Sequence, residues 1–90
     1  MRRLTNYQTL NTNSSTAVAT TALGNTSTSV VNEVTIISAL QTHYIKINGT
    51  ADSTGIVIPV GAIIDLEIPV GATLSAISHS GQGHITVLYY

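Results

Sequence analysis

Ninety residues hold this chain to one small domain, and with no cysteine neither a disulfide nor a thiolate-held zinc can staple its core. Only seven residues are formally charged (Arg2, Arg3, Glu33, Lys46, Asp52, Asp65 and Glu67), 8% of the chain against roughly 25% in an average globular protein. Three basic residues exclude a broad positive footprint for nucleic acid, and a net charge of −1 is too small to keep a free monomer dispersed, so neighbours are expected to cover much of the surface.

Residues 1–29 are set apart by composition. More than half are Thr, Ser or Asn, with isolated apolar residues at Leu4, Tyr7, Leu10, Val18 and Leu23. Such a segment buries too little apolar surface to offset its own chain entropy, so it reads as an extended arm that orders against a partner. Folding back on its own domain is the alternative. Ser15 to Leu23 followed by Gly24 suits a brief capped helix, although its Thr and Val suit extended chain equally well. Met1-Arg2-Arg3 leads into no apolar stretch, so no secretion signal is expected.

A β-domain is expected over residues 30–90. From Val30 to Leu40, Val34, Ile36 and Ser38 face one way and Thr35, Ile37 and Ala39 the other, a strand covered on both sides. His43 to Ile47 alternates and stops at Asn48-Gly49, a strong turn signal. After a loop at 50–55 comes a short strand, Ile56 to Ile58. The motif Ile58-Pro59-Val60-Gly61-Ala62 then recurs as Ile68-Pro69-Val70-Gly71-Ala72. Proline suits the second place of a turn and glycine its last, which gives two equal corners with one strand between them. In that strand Ala62, Ile64, Leu66 and Ile68 point inward and Asp65 and Glu67 outward. Strands from Thr73 to His79 and from His84 to Tyr90 flank Ser80-Gly81-Gln82-Gly83. Six or seven short strands at this spacing predict an all-β fold, a small β-sandwich or jelly-roll-like barrel. The longest apolar run, 56–64, is broken by Pro59 and Gly61 and is far too short to span a bilayer.

Chemistry is sparse. Asp65 and Glu67 share one outward strand face, whereas glycoside hydrolysis needs two acids flanking a bond. Ser78 and His79, as strand neighbours, point to opposite faces and make no nucleophile and base. His79 and His84 bracket a loop and, if opposed across a hairpin, approach the separation of a shared metal; two ligands are too few unless His43 or a symmetry mate joins them. No cofactor fingerprint is present. Arg2-Arg3 is the one cationic cluster, suited to acidic groups on a neighbouring subunit or to packaged nucleic acid, with an ordinary charged terminus as the plain alternative. Leu88, Tyr89 and Tyr90, apolar on both faces of the last strand, suggest a covered edge.

A Thr/Ser/Asn-rich arm, a weakly charged β-body, paired I-P-V-G-A corners and a Ser-Gly-x-Gly connection together resemble the small accessory virion proteins of tailed bacteriophages, the decoration or cement proteins of the capsid. The resemblance implies a non-enzymatic structural subunit, made in the host cytoplasm and placed in the virion. It implies partners among the major capsid or other virion proteins, and a homo-oligomer with a trimer favoured. In that reading Arg2, Arg3, Leu4, Tyr7, Leu10, Val18 and Leu23 form the arm's interface. A head–tail junction or fibre-associated protein is the neighbouring alternative. A carbohydrate-binding module is a more distant one, which the four tyrosines serve poorly, and a small hydrolase needs a pocket around the acids or histidines.

Overall fold

Apolar residues at every second position fit a pleated sheet with one buried face, and two such faces laid together make the core. The computed structural model describes residues 6–21, 31–69 and 71–90. Among these residues there are eight strands: β1 (Asn6–Thr12), β2 (Val18–Ala19), β3 (Val31–Ala39), β4 (His43–Ile47), β5 (Ile56–Ile58), β6 (Ile63–Pro69), β7 (Leu74–Ser78) and β8 (Gly83–Tyr89). One sheet runs β1-β8-β3-β6 and the other β2-β7-β4-β5, with every pair antiparallel. The pairs nest, first strand with last and inward to β4 with β5, which is the winding order of a jelly roll. The fold is all-β, as the alternation predicts.

Val34, Ile36, Ile68, Ile85, Val87 and Tyr89 from the first sheet meet Ile45, Ile58, Leu74 and Ala76 from the second. In β6 the expected alternation holds, with Ile64, Leu66 and Ile68 inward and Ile63, Asp65 and Glu67 exposed.

The N-terminal segment is where the expectation needs correcting. Residues 6–12 pair along their whole length with β8, from Asn6 opposite Tyr89 to Thr12 opposite Gly83, and residues 18–19 pair with β7. Between them Asn13 caps a bend by accepting from Ser15 N, Ser15 Oγ and Thr16 N at 2.7–2.9 Å. Thr20 N then donates to Leu74 O and Leu74 N to Thr20 Oγ1. This described part of the segment is body rather than free arm. It closes the sandwich because a backbone ladder, which needs only the N–H and C=O that Thr and Asn also carry, holds it where its own side chains bury little. Val18 lies in β2, so no helix forms up to Thr21; Leu23 and Gly24 lie outside the described residues, as do Arg2, Arg3 and Leu4.

The two corners also sit one residue away from the expected register. Ala62 N donates to Pro59 O and Ala72 N to Pro69 O, each at 3.1 Å, so proline opens the turn and glycine takes its third place. Gly61 has φ +80° and Gly71 +82°, the left-handed value that a type II turn demands there. Nothing stands within 4 Å of a Cβ built on Gly61, so Gly61→Ala meets only backbone strain. Thermal or urea unfolding should show a loss of about 1–2 kcal/mol, with the strand content unchanged.

Candidate functional site

Alternation in β4 turns His43 inward with Ile45, and the imidazole is completely buried. A buried imidazole must satisfy both ring nitrogens. Ser38 Oγ lies 2.8 Å from Nδ1 and donates its own proton to Gln41 O at 2.9 Å, so it accepts from Nδ1–H. Thr12 Oγ1, 2.6 Å from Nε2, is left to donate to the bare nitrogen. Three strands (β1, β3 and β4) thus meet on one neutral ring. Burial holds its pKa below the ordinary 6.5; the Gln41 carbonyl opposes that shift and His84 adds slightly to it. Ser38 is no activated nucleophile here, since its proton is committed to a carbonyl and the pair is sealed from solvent.

Above this cluster opens a cleft of about 410 Å³, bounded by Asn11–Asn13 at the end of β1, Leu40 after β3, and Gln82–His84 at the start of β8. Leu40 has φ +70° and is bridged by Gln41 N donating to Ala39 O, a γ-turn that holds its side chain out at the rim. No charged residue lines the cleft. His84 Nδ1 and Asn11 Oδ1 stand 3.2 Å apart, and the Asn13 amide oxygen is used in its own bend.

The remaining sequence candidates disperse. β7 and β8 belong to different sheets, so the expected hairpin between His79 and His84 does not exist. His79 joins the Tyr44 hydroxyl at 2.9 Å on the outer face of one sheet, while His84 lies on the outer face of the other. Among the described residues no group of three His, Asp or Glu is placed to hold a metal. Asp65 accepts from Thr35 Oγ1, which also meets the Tyr90 hydroxyl at 3.1 Å, and Glu67 stands opposite Glu33; all three acids share one outer face. Ser78 Oγ donates to Gly81 O, away from His79. Tyr89 is core rather than interface, because β8 is an inner strand between β1 and β3, not an edge. Leu88 lies half-buried on the outer face between Tyr7 and Thr35, and Tyr90 N reaches Glu33 O. Tyr7 is exposed on that face and Leu10 turns inward against the core.

What sequence reasoning missed is an apolar flank. β5 and β6 are the edge strands on one side of the sandwich, joined by the first corner. Along this stretch Ile56, Val57, Val60 and Ile63 are all more than half exposed, Ile63 at 68%. The signal was the apolar run 56–64 itself: a chain turning a corner at a sheet edge cannot bury every side chain of such a run. Single exposed apolar residues are ordinary, but here four fall within eight positions around one corner, with Ile56 and Val57 turned to opposite faces of β5. No family model and no curated protein matches the chain.

Proposed function

We propose that this chain is a non-enzymatic structural subunit of a virion, a decoration or cement protein that docks on a tailed-phage capsid through the β5–β6 flank. The observation that carries the reading is the exposure of Ile56, Val57, Val60 and Ile63 along one edge of the sandwich, on a chain with 8% charged residues. Apolar surface of this kind is stabilised by a companion that removes it from water, at about 25 cal/mol per Å² covered. Two further features support it. The jelly-roll winding is shared with viral capsid domains, and the three histidines are apart, His43 in a buried structural cluster and His79 and His84 on the outer faces of different sheets. The same flank serves equally a subunit at the head–tail junction, which differs only in the partner it covers.

The test is co-sedimentation of the full chain with shells assembled from the major capsid protein of the phage that encodes it. Wild type should pellet saturably, and Ile63→Lys with Val57→Lys should weaken binding at least about tenfold with thermal stability retained. A chain that stays in the supernatant, or a double variant that binds like wild type, refutes the reading. A glycan array reports on the competing carbohydrate-binding reading, for which the uncharged cleft beside Asn11, Gln82 and His84 is the place to look.

A further inference from the structure

Among the described residues the sandwich has four edge strands, and they are not alike. β2 has two residues and β5 three, too short to template a partner. β6 has seven, but it carries exposed Asp65 and Glu67 and ends at Pro69. Those are the features that keep an edge from pairing. β1 also has seven residues, Asn6-Tyr7-Gln8-Thr9-Leu10-Asn11-Thr12, without charge, proline or glycine. No described strand lies on its outer side.

The backbone of β1 is turned to receive a strand. Tyr7 N donates at 2.8 Å to the side chain of Asn6, so it points away from β8. In an antiparallel ladder the bonding direction alternates, and Thr9 and Asn11 therefore present their N–H and C=O groups on the same open side. Leu10 faces inward and packs on the core, yet it is only half-buried, because the sheet stops beside it.

We propose that β1 is the seam of a homodimer, in which two copies pair β1 with β1 antiparallel across a twofold axis at Thr9. The occupant follows from self-complementarity. A twofold axis sets each strand against its own sequence, and β6 would then bring Asp65 of one copy against Glu67 of the other. β1 brings Thr9 to Thr9, a favourable cross-strand pair, and Tyr7 to Asn11 of the second copy. Two four-stranded sheets become one of eight strands, and each copy covers the other's Leu10. The symmetry is twofold, in place of the threefold that the resemblance implies. This seam lies at the opposite edge of its sheet from β6, so it stands or falls independently of the docking flank.

Sedimentation equilibrium of the full chain up to about 1 mM tests it, with amide hydrogen exchange as the site-specific readout. Wild type should dimerise, with the Thr9 and Asn11 amides protected in the dimer. Thr9→Lys, which sets two ammonium groups together at the axis, should weaken the dimer at least about tenfold and leave the melting temperature of the dilute monomer unchanged. Thr9→Pro, which deletes the outward N–H, should do the same if the strand tolerates it; if it unfolds the chain, Thr9→Lys decides alone. The proposal is overturned if the chain stays monomeric over that range. It is equally overturned if Ile63→Lys rather than Thr9→Lys dissociates the oligomer, or if the Thr9 and Asn11 amides exchange freely within it, as they would in a trimer built elsewhere or where the edge serves only a foreign peptide.

Discussion

Gly83→Ala should remove about 3 kcal/mol of stability and lower the melting temperature by roughly 15 °C, an effect out of proportion to one methyl group. Gly83 opens β8 opposite Thr12, and the His43 ring lies against its α-carbon. A Cβ built there stands 2.6 Å from His43 Nε2, 2.8 Å from His43 Cε1 and 2.7 Å from Thr12 Oγ1. Each is far inside van der Waals contact. The ring cannot swing aside, since Nδ1 is held by Ser38 and the surrounding side chains are close-packed. Either the Thr12–His43 bond breaks, leaving a buried nitrogen unsatisfied, or β1 and β8 separate at this end. Both routes cost more than the added methyl gains. Equilibrium unfolding in urea measures the loss, and a double-mutant cycle with His43→Ala assigns its cause. If the clash is with the imidazole, the two substitutions should fall short of additivity by at least about 1 kcal/mol. Strict additivity would place the damage elsewhere.

Much of this was legible in the sequence. Period-two alternation set Val34 with Ile36 and Ile85 with Val87 on common strand faces, without saying that those faces are the core, and put Asp65 and Glu67 outside, where they lie. The paired corners were visible too, though only the coordinates of Gly61 and Gly71 show that positive φ, not the preset φ of proline, locates the turn. What escaped had two physical causes. Side-chain composition says little about a strand held by its backbone, so Asn6–Thr12 read as an arm although its ladder with β8 is complete. Which strands are neighbours is a long-range property, so β7 and β8 looked like a hairpin, and their separation into different sheets was invisible from spacing. The His43 cluster escaped for the same reason. The alternation of His43 with Tyr44 and Lys46 turns it inward beside Ile45, but Ser38 and Thr12 meet it only once three strands have converged.

Lowering the pH from 7 to 5 should destabilise the wild-type chain, and His43 should account for most of the change. In the folded state burial keeps the His43 pKa below 6.5, whereas in the unfolded chain the imidazole titrates near its ordinary value. Below about pH 6.5 the unfolded state therefore binds a proton that the folded state refuses. Stability contributed by the neutral ring is fully present above that pH and is lost as pH falls toward the folded pKa, at up to about 1.4 kcal/mol per pH unit. The charged form has no acid to pair with among its hydrogen-bond partners, which are two hydroxyls, and His84 is the titratable group that adds to the disfavour. Asp52 works in a separate window. Bonds from Thr54 and Lys46 lower its pKa from 3.8 to about 2, so its contribution is retained above pH 3.8 and fades only as pH falls toward 2. Urea titrations at intervals from pH 8 to 5 should thus give a falling profile for wild type and a flatter one for His43→Gln. Parallel profiles would mean that some other group binds the proton. Because Thr12 anchors one end of β1 to the ring, the amides of β1 nearest Thr12 should exchange first as the pH falls, ahead of those in β3 and β4.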